Sequence, residues 1–94
     1  MAIARVVAFE DVSSERMAEL DERMRTGERP EDMPAMELVM LHDPDEEKTL
    51  VILFFENEDD YRRADAMLSA MPAGDTPGRR TSVSKYNVAT RMTA

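Results

Sequence analysis

The chain has 94 residues, which fits one compact domain. Its formal net charge of −8 at pH 7 argues against a nucleic-acid module and against docking on anionic lipid, and its lack of cysteine excludes disulfides, thiolate metal sites and a cysteine nucleophile. The apolar start is too short to span a bilayer and contains an arginine, so we expect neither a membrane anchor nor a signal peptide, and a cytoplasmic location.

The first predicted element is a strand over residues 2–10, rich in valine, isoleucine and alanine on both faces. Arg5 interrupts this apolar run. A helix follows, because Ser13 is a good N-cap and the next apolar residues recur at helical spacing. Gly27 is typical of the residue just beyond a helix end.

Residues 35–42 predict a second strand and residues 48–56 a third, both apolar on two faces. The sequence between them, 43–46, contains a proline and three acids, which indicates a turn. Together the two strands and this turn predict a hairpin.

Asn57 is predicted to cap a second helix, whose first turn is acidic and therefore complements the helix dipole. Tyr61, Ala64 and Leu68 share its apolar stripe, and Pro72 ends it. Residues 80–92 then alternate polar and apolar side chains, which predicts the last strand.

The predicted order is β-α-β-β-α-β, an α+β arrangement of the ferredoxin-like type. We therefore expect residues 1–94 to form a single domain, with a four-stranded antiparallel sheet and two helices on one face.

Three of the four predicted strands are apolar on both faces, whereas two helices cover only one face of a sheet. The other face would expose an apolar patch larger than soluble monomers usually carry. We therefore expect a homodimer, or a higher oligomer, in which two sheets pack face to face and close into a barrel. The alternative is that these are simply hydrophobic strands with frayed ends.

Two segments resemble those of a known grouping of proteins. Residues 57–65 (NEDDYRRAD) are similar to its entry into the second helix, and residues 76–86 (TPGRRTSVSKY) to the tail of bacterial members. With the βαββαβ pattern, the whole chain resembles the dimeric α/β-barrel superfamily, which includes antibiotic-biosynthesis-type and haem-degrading monooxygenases and muconolactone-isomerase-like proteins. The resemblance implies a dimeric α/β barrel and a ligand pocket between the sheet and its helices. Oxygen chemistry in that pocket typically involves tryptophan, asparagine, tyrosine or histidine, and this chain has no tryptophan.

Four side chains are candidate ligand-binding groups: Arg5, His42, Tyr61 and Tyr86. A buried Arg5 would hold an anionic ligand, or would pair with a carboxylate such as Glu37, which is the interpretation we favour. His42 would act as a base or haem ligand, or would hydrogen-bond a loop. Tyr61 would line a pocket, or would be a core tyrosine. Tyr86 and Lys85 are expected on opposite faces of the last strand.

The remaining polar patterns indicate no catalytic set. A single histidine excludes a multi-histidine metal site within one chain, and the acidic clusters lack the spacing of a calcium loop. Arg79 and Arg80 would clamp an anion or form salt bridges, and Ser82 and Ser84 have no neighbouring histidine and aspartate. Of the nine methionines, six fall on predicted inner faces, where core packing is favoured over the lining of an adaptable pocket: Met17, Met24, Met36, Met40, Met67 and Met71.

Two functional hypotheses follow. In the first, a small dimeric barrel binds an apolar or aromatic molecule, in a non-catalytic role or in a monooxygenase-like role that needs no cofactor. In the second, the chain forms a structural, stress-response or regulatory dimer without a small-molecule site. The absence of tryptophan and of a paired catalytic constellation favours the second.

Overall fold

The structure, a computed structural model, describes residues 2–27, 34–35, 37–70 and 76–92. Its elements confirm the predicted order: β1 (Ile3–Glu10), α1 (Ser14–Arg25), β2 (Glu37–Asp43), β3 (Lys48–Phe55), α2 (Glu58–Ser69) and β4 (Arg79–Asn87). All neighbouring strands are antiparallel, in the order β2-β3-β1-β4. The chain has the ferredoxin-like fold.

The strand register divides the sheet into two faces, because directly paired residues point the same way and successive residues point opposite ways. We call one face the helix face, since both helices pack on it; it carries Arg5, Val7 and their partners Leu53 and Val51. The other is the open face, which carries alternate residues of every strand, including Ala4, Val6 and Ala8 of β1, Ile52 and Phe54 of β3, and Leu41 of β2.

Both helix starts and the end of α1 are set by the predicted residues, whereas Pro72, predicted to end α2, lies outside the described residues. Ser13 accepts a hydrogen bond from the backbone N–H of Arg16, and Asn57 accepts one from that of Asp60. Gly27 follows α1 with a φ of +86°, a conformation that glycine adopts without strain, and its N–H donates to the carbonyl of Met24. The sequence thus predicted both N-caps and the end of α1.

The core lies between the helix face and the helices, in two apolar clusters. The first contains Val7, Phe9 and Val12, with Met17 of α1 against them. The second contains Leu53, Phe55 and Ala64, with Tyr61 and Leu68 of α2 among the residues packed on it. Of the six methionines predicted to face inward, Met67 is 38% exposed on α2, which corrects its assignment to the core, while Met36 and Met71 lie outside the described residues.

The last strand is shorter than predicted. We expected it to reach residue 92, but β4 ends at Asn87, whose register partner is the first residue of β1. One further hydrogen bond follows, from the N–H of Val88 to the carbonyl of Ala2. The pairing ends there because β1, the strand next to β4, begins at Ile3. Residues 88–92 then turn over the open face, where Arg91 pairs with Glu37.

Among the helices of the described part of the chain, none is long and apolar enough to cross a membrane.

Candidate ligand site between the sheet and the second helix

Arg5 lies in the middle of a central strand, on the helix face, and is only 3% exposed. Its Nε donates to Oδ1 of Asp65 on α2 at 3.0 Å. The favoured structural interpretation named a carboxylate such as Glu37, and that partner is wrong. Glu37 pairs in register with Phe54, which places it on the open face, on the far side of the sheet from the Arg5 guanidinium.

The guanidinium is only partly satisfied. Its Nη2 atom is buried, and no described residue accepts a hydrogen bond from it. Leaving a buried donor without an acceptor costs about 1–3 kcal/mol, and more where the group is charged. Arg5 is therefore a charged side chain with hydrogen-bonding capacity that the described core does not use.

Besides Asp65, the side chains of Tyr61 and Lys85 belong to the surroundings of Arg5. Tyr61 is four residues before Asp65 on α2, so both lie on one face of that helix. Lys85 of β4 is the register partner of Arg5, and its Nζ lies 5.0 Å from the centre of the Tyr61 ring. We call Arg5, Tyr61, Asp65 and Lys85 the Arg5 cluster.

Lys85 already has an anionic partner, the carboxylate of Glu58. The hydrogen bond and the positive charge of Lys85 hold the pKa of Glu58 below its ordinary value. Because Glu58 takes up Lys85 and Asp65 contacts only one nitrogen of Arg5, the cluster retains an unmatched donor at Nη2.

Apolar side chains surround the cluster. Leu53 of the second apolar cluster is the register partner of Arg5 on the other side, and Phe55 meets the Tyr61 ring edge-on at 5.8 Å. Val7, two residues along the strand, belongs to the first apolar cluster. Arg5 thus places a cation between two apolar groups of residues, an arrangement suited to a molecule with one polar end.

The sequence predicted two members of the cluster as candidate ligand-binding groups, Arg5 and Tyr61. It missed Asp65 as the partner of Arg5, although a signal was available. Asp65 lies four residues after Tyr61, beside the apolar stripe of α2, so its carboxylate must lie close to the sheet.

His42 lies elsewhere on the helix face. Its register partner is Thr49, which in turn pairs with Phe9, four residues along β1 from Arg5. Two strand spacings and four residues of strand separate it from Arg5 by about 16 Å. The structure therefore does not bring these two candidates together.

The contacts of His42 match the structural alternative for this residue. Its Nε2 lies 2.9 Å from the carbonyl oxygen of Val12, a hydrogen bond that ties the end of β2 to the segment before α1.

Tyr86 lies on the open face and is 57% exposed, whereas its neighbour Lys85 faces α2. The structure thus confirms that these two side chains point to opposite faces. Tyr86 is separated from the Arg5 cluster by the thickness of the sheet.

The open face contains a groove of about 380 Å³ at the end of the sheet where β2 leads into β3. Its lining includes Ala8, Leu41 and Leu50, the last two 49% and 38% exposed, and also the candidate residue His42. Glu10, Asp43 and Lys48 also line the groove. Its position differs from the expected one, which was between the sheet and the helices.

The other candidate groups are engaged elsewhere. Arg79 binds Glu10 at 2.6 Å and Asp11 at 3.2 Å, and these two acids raise its pKa above the ordinary arginine value. The guanidinium of Arg79 is therefore paired with two acids, which matches the salt-bridge alternative and not the binding of an anion. Within residues 2–27, 34–35, 37–70 and 76–92, no group of three or more potential ligands is placed to hold a metal ion.

Comparison with known proteins establishes the fold. No protein-family model matches the chain, and no curated protein matches it in sequence. Among solved structures, it is similar to a crystal structure of a mutant of MhuD with two manganese protoporphyrin IX molecules bound per active site. The TM-score is 0.61 at 17% sequence identity, over 98% of this chain and 99% of that one. At this identity the likeness supports the ferredoxin-like arrangement, and function must be argued from the site.

Proposed function

We propose that the chain is a homodimeric small-molecule-binding protein that holds an apolar or aromatic ligand between its sheet and α2, at the Arg5 cluster. The observation that carries the proposal is the partly satisfied guanidinium of Arg5, buried between two apolar clusters. Ligand sites are mostly apolar with a few convergent polar groups, and this part of the helix face has that composition. The similar MhuD structure, which holds an organic molecule in its active site, supports a small-molecule role for this fold.

The homodimer is proposed from the open face. Large apolar side chains there are accessible in the single chain, among them Leu41 at 49%, Leu50 at 38% and Val39, which is half-buried. A second copy packed on this face would remove them from water and would cover the groove beside Ala8. Two sheets packed in this way would form the dimeric α/β barrel.

Within this proposal the protein binds its ligand in a non-catalytic role, or supports a monooxygenase-like reaction in which the substrate supplies the electrons and no cofactor takes part. The second candidate is a structural, stress-response or regulatory dimer without a small-molecule site, acting in the cytoplasm. The accessible apolar open face favours this candidate as much as the first, because both require the dimer. The Arg5 cluster is what separates them.

The test is extraction of retained small molecules. Protein purified without denaturant is unfolded in organic solvent, and the released compounds are identified by mass spectrometry. We expect one compound to be released from the wild type and from Arg25→Met, and to be missing from Arg5→Met. Arg25 is the matched control because it is an arginine paired with Asp21 on the surface of α1, away from both the Arg5 cluster and the open face.

All three proteins are compared by light scattering, where we expect each to be a dimer. Dimers that release no compound in any of the three preparations would favour the structural candidate instead.

A further inference from the structure

We infer that the ligand held at the Arg5 cluster is a carboxylate: a flat apolar molecule whose carboxylate oxygen accepts a hydrogen bond from Nη2 of Arg5. This inference rests on the proposed small-molecule function and names the chemical class of the ligand.

The unsatisfied donor at Nη2 limits the chemistry of a ligand that could bind there. Arg5 presents five N–H groups and no acceptor, so only an acceptor can satisfy the free nitrogen, and an anionic oxygen gives the strongest bond. A neutral carbonyl would satisfy the geometry, but it would leave the guanidinium with no added counter-charge. Asp65 contacts the guanidinium only through Nε.

Arg5 and Lys85 each have one carboxylate partner, so the formal charges cancel and what Arg5 lacks is an acceptor at Nη2. Arg5 and Lys85 are adjacent in register, which places two cations side by side on one face of the sheet. Glu58 is bound to Lys85 and Asp65 is bound to Arg5 at a single nitrogen. A ligand carboxylate would add the second contact of the planar guanidinium fork, at the nitrogen that Asp65 leaves without an acceptor.

The cluster also has an outer side that reaches solvent. The Arg5 side chain is 4% exposed, whereas the side chains of Asp65 and Lys85 are 42% and 41% exposed. Because Nη2 itself is shielded from solvent, these two exposed side chains would move apart to admit the ligand carboxylate. The ligand's apolar body would lie against the ring of Tyr61 and the side chains of the second apolar cluster.

Asp65 and the ligand would compete for the same guanidinium. The ligand carboxylate must approach within a few ångströms of the Asp65 carboxylate, and the two negative charges repel each other. Asp65→Asn keeps an oxygen that accepts from Nε of Arg5 and removes that charge. The variant should therefore bind a carboxylate more tightly than the wild type does.

The experiment uses a matched pair of probes, naphthalene-2-carboxylate and naphthalene-2-carboxamide, which share their shape and differ in charge. The chain has no tryptophan, so the naphthalene fluorescence is measured without interference from indole. The full chain, stripped of any retained compound and refolded, is titrated as wild type, Arg5→Met, Arg5→Lys and Asp65→Asn. Far-UV circular dichroism of each verifies the fold.

We expect the wild type to bind the carboxylate about tenfold or more tightly than the amide, as a charge-assisted bond implies. Arg5→Met should abolish this preference, and Arg5→Lys should retain part of it. Asp65→Asn should raise the affinity for the carboxylate about threefold, the effect of removing one half-exposed charge.

Equal affinity for the two probes, or a preference that survives in Arg5→Met, would overturn the inference while leaving the proposed small-molecule function intact. The proposed function would fail in a different way, with neither probe bound and no compound retained by the purified protein. Weaker binding of the carboxylate by Asp65→Asn than by the wild type would contradict the competition between Asp65 and the ligand.

Discussion

The two partners of the Arg5–Asp65 pair should contribute very differently to stability. The Arg5 side chain is 4% exposed and that of Asp65 is 42% exposed. Asp65→Ala leaves the buried guanidinium with no described partner at either Nε or Nη2, and an uncompensated buried charge of this kind costs about 3 kcal/mol. Arg5→Met leaves a carboxylate that water can solvate and removes the unsatisfied nitrogen, so we expect a change within about 1 kcal/mol.

The assay is reversible unfolding in urea, followed by far-UV circular dichroism at one fixed protomer concentration, because dimerisation makes stability depend on concentration. In a separate thermal scan at the same protomer concentration, a loss of about 3 kcal/mol would lower the Tm of Asp65→Ala by roughly 12–24 °C for a chain of this length. Asp21→Ala is the control, because Asp21 pairs with Arg25 at 2.9 Å on the surface of α1. It should cost no more than about 0.5 kcal/mol.

A loss in Arg5→Met as large as that in Asp65→Ala would contradict this expectation. It would mean that the guanidinium is needed for folding as half of a structural pair, and that burial of its unsatisfied nitrogen costs the fold little.

Three further predictions concern other parts of the molecule. Leu50→Asp on the open face should give a monomer by sedimentation, whereas Met67→Asp, at a residue of equal exposure on α2, should leave the dimer intact; a dimer in both would place the interface elsewhere. Gly78→Ala should destabilise the chain by about 2 kcal/mol in thermal unfolding, since its Cβ would overlap a carbonyl oxygen at the end of β1, and an unchanged Tm would be inconsistent with that close approach. Because Lys85 lowers the pKa of Glu58, their ion pair stabilises the fold above the ordinary glutamate pKa and loses its effect as the pH falls through the lowered value. Lys85→Met should raise the pKa of Glu58 in an NMR titration, and an unchanged pKa would rule out this pair.

The element order and the helix ends could be predicted from the sequence because their causes are local. Ser13 and Asn57 act on N–H groups three residues away, and Gly27 acts through its own backbone. The end of β4 could not be predicted in this way. It depends on where β1 begins, a contact between residues more than 80 positions apart, and residues 88–92 contain no glycine or proline to mark a strand end.

The candidate site was predicted in part. A lone arginine within an apolar strand indicated a buried charge, and the structure places Arg5 there. Its partner depends on which face of the sheet each residue occupies, and this is fixed by the register of four strands. Glu37 lies one residue before Leu38, which faces the helices, so its own side chain is on the open face and cannot pair with Arg5. The actual partner, Asp65, comes from α2 and depends on how that helix packs on the sheet.

The same dependence explains why the four candidate ligand-binding residues do not converge. His42 shares the helix face with Arg5 but lies near the opposite end of the sheet, and Tyr86 lies on the other face. Residue type identified polar groups within apolar surroundings. Only the packing of α2 on the sheet, through Asp65 on Arg5 and Lys85 on the Tyr61 ring, determined that Tyr61 is the one that shares a site with Arg5.

Native mass spectrometry of the protein, purified without denaturant or organic solvent, would report the dimer and its bound compound in one measurement. We expect a dimer that carries one small organic acid per chain, and we expect Arg5→Met to be a dimer of bare chains. A bare monomer, or a dimer whose bound compound is unaffected by Arg5→Met, would contradict the proposed ligand site.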